Sequence, residues 1–228
     1  MNIAVILAGG SGTRLGADKP KQFLEIAGKT ILEHSISAFH RNERIDEIVV
    51  VCREDYVGDV RQLVSKPEYH KVKHVVPGGK ERYHSSLAAI KACHDADDCL
   101  LLHDAVRPLV SQRIIDDCID ALKDYDAVDV AVPATDTIIQ VDADNRIMAI
   151  PPRSSLRNVQ TPQCFRMSCI RSAFDLALQD PDFLPTDDCS VVHRYLPYTP
   201  IYVVEGEATN IKITYASDLQ MAENLLRK

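Results

Sequence analysis

Residues Ile3-Ala4-Val5-Ile6-Leu7-Ala8 form an unbroken apolar run, and Gly9-Gly10-Ser11-Gly12-Thr13-Arg14-Leu15-Gly16 follows at once. A short apolar run ended by glycines reads as a strand covered on both faces, the strand type of parallel sheets. The glycines let backbone N–H groups come close to another molecule. A loop of amides is a cradle for an anion, and Arg14, Lys19 and Lys21 place positive charge beside it. An ordinary tight turn needs no such set of cations. The predicted role of this stretch is to hold phosphate.

Two common phosphate loops do not fit. The Walker pattern needs Gly-Lys-Ser/Thr after its spacer, but Gly12 leads into Thr13-Arg14. Gly10-Ser11-Gly12 supplies the first half of a dinucleotide fingerprint, yet Leu15 stands where its third glycine belongs. Pro20 interrupts any helix that would follow.

Downstream the pattern alternates. Thr30 with Glu33 forms a capping box ahead of the helical stripe Leu32, Ile36, Phe39. A buried strand is predicted at 47–51, and further strands at 72–76, 99–102 and 128–132. Helices lie between them, marked by Val57, Val60 and Val64, by Leu87 and Ile90, and by Ser111 capping Ile114 to Leu122. This rhythm predicts an α/β fold with a doubly wound, mostly parallel sheet, Rossmann-like in its layering. Ligands in such sheets bind beyond the carboxyl ends of the strands. The glycine loop, Gly78-Gly79 and His103-Asp104 all fall at such ends.

After Pro133 the rhythm changes. Residues 137–141 and 146–150 read as two short strands around the turn Asp142-Ala143-Asp144-Asn145. Two strands alone are barely stable in water, so their apolar side chains need a partner surface, and a second copy of the chain is favoured over the parent domain. The chain re-enters at 161–165. Ser168 is expected to cap a helix with Ile170, Phe174 and Leu178 on its apolar side. Strands are expected at 202–204 and 210–214, and Ser217 is expected to cap a last helix. The expected organisation is one domain over 1–228, with 134–158 as a β-arm.

Composition narrows the function classes. A net charge of −7 argues against a broad nucleic-acid surface, so cations gathered at one loop stand out. No apolar run approaches the roughly 20 residues of a membrane span, and no signal peptide is evident. The seven cysteines are odd in number, irregular in spacing and without a C-x-x-C pair. They read as reduced thiols of a cytoplasmic protein rather than disulfides or a zinc site.

Several residues could carry chemistry. Asp104, just past a buried strand, is a natural Mg²⁺ ligand beside a phosphate cradle, or else the cap of the next turn. His103 reads as a supporting core histidine. Lys212, in an apolar stretch after Asn210, either faces an anion or snorkels to solvent. Gly78-Gly79-Lys80-Glu81-Arg82-Tyr83-His84-Ser85 offers amides, a hydroxyl and Arg82 to a base or ribose, or simply a helix cap. Arg153 and Arg157 flank the hairpin's return, where arginine suits bidentate phosphate recognition or a solvated face. Together these imply transfer at a nucleotide α-phosphate, a chemistry of positioning and charge stabilisation.

The chain resembles the CTP-dependent polyol-phosphate cytidylyltransferases. The likeness runs through Leu7 to Arg14, Pro20-Lys21-Gln22-Phe23, Gly78-Gly79 to Ser85, His103 to Pro108, Asp136-Thr137, Gln160-Thr161-Pro162-Gln163, Thr186-Asp187-Asp188 and Asn210 to Thr214. That family contains enzymes for 2-C-methyl-D-erythritol 4-phosphate and for ribitol 5-phosphate. The resemblance implies attack of a substrate phosphate on the α-phosphate of CTP with loss of pyrophosphate. It implies catalytic cations at Arg14, Lys21 and Lys212, and a nucleotide pocket at Ala8, Gly9, Gly10, Gly12, Gly79, Ser85, Asp104 and Arg107. It implies Mg²⁺ at Asp104 and polyol-phosphate contacts from Thr137, Arg153, Thr161 and Thr186. Thr137 and Arg153 would reach the site on the arm of a neighbouring subunit in a homodimer. Ala8-Gly9-Gly10, Val106 within His103 to Pro108, and Leu156-Arg157 lean toward ribitol 5-phosphate as substrate. Thr186-Asp187-Asp188-Cys189-Ser190 leans toward methylerythritol phosphate. A sugar-1-phosphate nucleotidyltransferase would differ by taking UTP, TTP or GTP, and a silent nucleotide sensor by releasing no pyrophosphate.

Overall fold

The computed structural model describes residues 1–10, 19–93 and 95–227. Strand β1 (Asn2–Ala8) leads to a 3-10 turn (Lys21–Phe23) and a small hairpin, β2 (Glu25–Ile26) and β3 (Lys29–Thr30). Then come α1 (Ile31–His40), β4 (Glu47–Cys52), α2 (Val57–Val64), β5 (Val72–Pro77), α3 (Arg82–Ala92), β6 (Cys99–Asp104), α4 (Gln112–Ala121) and β7 (Ala127–Pro133). The arm carries β8 (Gln140–Val141) and β9 (Ile147–Ala149). Last are β10 (Arg157–Val159), β11 (Gln163–Arg166), α5 (Met167–Ala177), α6 (Asp188–Tyr195), β12 (Ile201–Glu205) and α7 (Ala216–Leu226).

Strands β5, β4, β1 and β6 lie side by side and parallel. β11 fits antiparallel between β6 and β7, and β12 runs parallel along the other edge of β7. β10 continues along β7 past β11. The sheet is therefore mostly parallel, with a returning antiparallel segment that strand–helix alternation alone does not reveal. Side chains of β1 alternate between two cores. Ala4, Ile6 and Ala8 join α1, α2 and α4, while Ile3, Val5 and Leu7 join α3, α5 and α6. A strand buried on both faces needs apolar residues at every position, which explains the opening run.

Local details confirm some expectations and correct others. Thr30 accepts from the Glu33 N–H while the Glu33 carboxylate returns to Thr30 N, a full capping box. Ser111 accepts from Ile114 N as expected. Ser168 does not cap α5: the helix starts at Met167, whose N–H donates to Asp98 O at 2.8 Å, so no side-chain cap is required. Leu178 ends that helix 54% exposed instead of lying on its buried stripe. Ser217 likewise lies inside α7, because the Asp218 carboxylate reaches back to Thr214 N and Tyr215 N. Residues 210–214 form no strand; Ile213 N donates to Val106 O, and the rest is held by side chains described below.

The arm's paired strands are shorter than expected. At its turn, the Asp142 carboxylate accepts from the N–H groups of Asp144 and Arg146, and Asn145 takes a left-handed φ of 61°. Ile139, Val141, Ile147, Met148 and Ile150 on the arm are all exposed. All seven cysteines are free, and six are buried. Among the described residues no helix is long and apolar enough to cross a membrane.

Candidate active site

The carboxyl ends of β1, β4, β5 and β6 open onto a cleft of about 680 Å³. Ala8, Gly9 and Gly10 form one wall, and Gly78, Gly79 and Ser85 form another. The walls touch where a side chain at Gly9 would lie 3.1 Å from Ser85 Oγ; within the second wall, one at Gly78 would lie only 2.5 Å from the same atom. Gly78 thus leaves no room for a side chain unless Ser85 shifts, and Gly9 leaves little. Lys21, Arg82, Asp104 and Lys212 complete the interior, with Arg53, Glu54, Asp55, Lys80 and Glu81 at the rim.

Asp104 is the electrostatic centre. Lys212 Nζ donates to Asp104 Oδ2 at 2.7 Å, and Arg82 Nε lies 3.7 Å from Oδ1. Burial would raise the Asp104 pKa, but Arg82 and Lys212 outweigh it and bring it down to about 2. Arg82 also donates to the buried carboxylate of Asp188 at 2.6 Å. Burial opposes the guanidinium's charge, yet Asp188 and Asp104 raise its pKa. Lys21 Nζ donates to Ile213 O at 2.8 Å, which joins the turn after the glycine loop to the segment that carries Lys212.

Behind Asp104 lies a relay of hydrogen bonds. Asp104 N donates to Thr161 Oγ1 at 3.1 Å, and Thr161 Oγ1 pairs with His103 Nδ1 at 3.0 Å. His103 Nε2 faces Arg107 O at 2.9 Å, so it carries the proton and Nδ1 accepts from the threonine hydroxyl. Complete burial lowers the His103 pKa to about 4 and keeps the ring neutral. His103 is the supporting core histidine its sequence position suggested.

The structure brings Ala8, Gly9, Gly10, Gly79, Ser85, Asp104, Lys21 and Lys212 into one cleft. Arg14 and Gly12 lie outside the described residues. Five expected contact residues are elsewhere. Arg107 is buried away from the cleft lining, its guanidinium donating to Asn210 O at 2.7 Å and Val159 O at 3.4 Å. It fixes the 210–214 segment, as does Asn210, whose side chain donates to Gln160 Oε1 and Thr161 O. Thr161 stands behind Asp104 rather than in the cavity. Thr137 and Arg153 are exposed on the arm, with Arg153 Nη1 donating to Thr135 O at 3.0 Å. Thr186 is exposed beside the capping residue of α6.

Arg82 and Asp188 were each present in recognisable motifs, but only folding shows that they join across 106 residues. Asp129 was missed altogether within the apolar strand 127–133. Its Oδ1 accepts from Val130 N and Gln163 Nε2, and Gln163 also reaches Asp187 and, through Oε1, the N–H groups of Asp188 and Cys189.

Among the described residues no cluster of three or more His, Cys, Asp or Glu could hold a metal. Asp104 alone nevertheless fits Mg²⁺, an ion that takes one or two carboxylates and completes its shell with phosphate oxygens and water. The carboxylate is ionised, lies at the cleft, and is 9% exposed.

Comparison with known proteins agrees with this geometry. The family model described as 2-C-methyl-D-erythritol 4-phosphate cytidylyltransferase (IspD) matches residues 2–228. The enzyme of that name from Thermobifida fusca is 50% identical over 230 residues, covering 98% of this chain and 92% of its own. The bifunctional ribulose 5-phosphate reductase/CDP-ribitol pyrophosphorylase Bcs1 of Haemophilus influenzae is 44% identical over 229 residues, 99% of this chain but 48% of its own length. The crystal structure of 4-diphosphocytidyl-2C-methyl-D-erythritol synthase from Anaerococcus prevotii superposes with a TM-score of 0.88 at 30% identity, covering 100% of this chain and 96% of that one. A glycine-walled cleft with converging cations, on a sheet shared with these enzymes, places the chain in the IspD family of cytidylyltransferases, within the CTP-dependent polyol-phosphate nucleotidyltransferases.

Proposed function

We propose that the protein joins CTP to 2-C-methyl-D-erythritol 4-phosphate and releases pyrophosphate. The observation that carries this reading is the set Lys21, Arg82 and Lys212 around Asp104, beside two glycine walls. A phosphate oxygen of the polyol substrate forms a bond to the α-phosphorus of CTP. The bond from that phosphorus to the α,β-bridging oxygen breaks, and pyrophosphate leaves with the electron pair. Lys21 and Lys212 stabilise the charge that crowds at the α-phosphate; each contact at about 4 Å is worth on the order of 4 kcal/mol gross at an effective dielectric of 20. Arg14 belongs to the same set by the family likeness. Asp104 would hold Mg²⁺ against the triphosphate, and that ion would neutralise phosphate charge. The glycine walls and Ser85 would receive the cytosine and ribose.

The polyol assignment departs from the sequence-based lean toward ribitol 5-phosphate. Methylerythritol phosphate enzymes are the relatives that match along most of their own length, at 92% for Thermobifida fusca and 79% for Bifidobacterium longum. The ribitol relative matches through only 48% of its length. Differences at Ala8-Gly9-Gly10 and Val106 therefore weigh less than the likeness of the whole chain. The test is pyrophosphate release from CTP with methylerythritol 4-phosphate and, separately, ribitol 5-phosphate. A kcat/KM at least tenfold higher for the first supports the assignment, and the reverse order assigns ribitol 5-phosphate.

The exposed apolar residues of the arm support a homodimer in which each arm, residues 134–158, covers the other subunit and delivers Thr137 and Arg153 to its cleft. Arg153→Ala is expected to raise the KM for the polyol phosphate about tenfold or more while sparing that for CTP, as for loss of one charged phosphate contact. A selective loss of CTP affinity would remove Arg153 from this role.

A further inference from the structure

We infer that Gln22 is a positioning residue that sets the shape of the nucleotide cradle, an inference that rests on the CTP reading above. Gln22 lies in the 3-10 turn Lys21–Phe23 and is 1% exposed. Its Nε2 donates to Ala8 O at 2.7 Å and to Gly10 O at 3.0 Å. These carbonyls flank Gly9 on the cleft wall. The two carbonyls also fix the orientation of the amide, since a flipped side chain would turn its own oxygen onto two other acceptors. In the orientation adopted, Oε1 is buried and has no hydrogen-bond partner among the described residues. An acceptor left so is costly, and the side chain accepts that cost to place both amide protons on the loop.

The geometric effect is specific. The Ala8–Gly9 peptide is planar, and the cis bond identified among the described residues lies elsewhere, at Thr161-Pro162. Drawing Ala8 O toward Gln22 therefore sends the Gly9 N–H to the opposite side. Glycine has no side chain to hold such a peptide in place, and its backbone is freer than that of any other residue. Without the amide, the Ala8–Gly10 wall loses two anchors while the turn that carries Lys21 keeps its own, Phe23 N to Pro20 O and Leu24 N to Lys21 O. Gln22 thus governs CTP binding more than the transfer step.

Steady-state kinetics of Gln22→Met and Gln22→Glu against wild type test this. Gln22→Met is expected to raise the CTP KM at least tenfold, to lower kcat at saturating CTP by less than threefold, and to leave the polyol-phosphate KM within twofold. Gln22→Glu cannot donate when ionised. Its CTP KM is expected to be worst at pH 8 and to recover toward wild type at pH 6, where a buried carboxyl gains a proton and can donate again. An unchanged CTP KM in both variants overturns the inference. So does an equal loss in kcat and in both KM values with a falling Tm, which marks a general structural role. Calorimetric titration with CTP makes the same comparison without turnover. A wild type that binds CTP but releases no pyrophosphate rejects the catalytic reading, and the variant-to-wild-type ratio of CTP Kd still decides the role of Gln22.

Discussion

Lys21→Ala is expected to lower kcat with CTP by about a hundredfold or more, the loss seen when one preorganised transition-state donor is removed. The fold should survive. Lys21 sits in a 3-10 turn closed by backbone bonds, and its ammonium reaches Ile213 O through a bond that a surface-facing cleft can replace with water. The informative measurement is single-turnover pyrophosphate release at saturating CTP, alongside the melting temperature. Near-normal turnover would take Lys21 out of the reacting set and shift the burden to Arg82 and Lys212. Arg82→Ala is a weaker test of the chemistry, because it also leaves the carboxylate of Asp188 buried and unpaired.

Asp129→Asn is expected to stabilise the protein at neutral pH, the largest effect on folding foreseen for a conservative change. Burial raises the Asp129 pKa to about 6 from an ordinary 3.8; Gln163 opposes the rise and Asp187 adds to it. The sign follows from linkage. With the folded pKa above the unfolded one, the favourable contribution is full below about pH 4 and is lost as pH rises through 6. Above that range the ionised group costs on the order of 3 kcal/mol. Asparagine keeps an oxygen for Val130 N and Gln163 Nε2 and removes the charge facing Asp187. The Tm at pH 7.5 should rise by about 5 °C or more, since a chain of this size gains roughly 2–4 °C per kcal/mol. At pH 4 the variant and the wild type should melt together. A lower Tm for the variant at pH 7.5 would mean that the carboxylate is ionised and well solvated in the native state.

Asp129 also shows what sequence can and cannot disclose. The strand around it was legible because Val128, Val130, Ala131 and Val132 make an apolar run broken only at Asp129. The polar residue inside that run has meaning only through Gln163 and Asp187, which arrive from distant segments. The cleft was readable for a related reason. Glycines at strand ends suggest a backbone that approaches a ligand, and the fold adds a second reason for Gly78 and Gly79, which pack against Ser85 and His84. Arg107 was misjudged because a motif records that an arginine is needed, not whether its fork grips phosphate or backbone. Here it holds Asn210 O and Val159 O. Helix starts at Ser168 and Ser217 were misplaced by a residue or two, because a distant carbonyl at Asp98 and a reaching carboxylate at Asp218 did the capping instead.

The arm leaves the sheet at Pro133 and rejoins it at Arg157, and these two residues face each other across one rung of the β7–β10 ladder. An excursion whose ends are already adjacent adds little closure entropy when its length changes. On the role proposed for the arm, such a segment is an exchangeable cassette: a graft between these two anchor points would bring new acceptor contacts while the sheet keeps its packing. With the acceptor contacts proposed for the arm, a change of acceptor would ask little of the sheet, and an arm transplanted from a ribitol-type relative is the direct way to look for it.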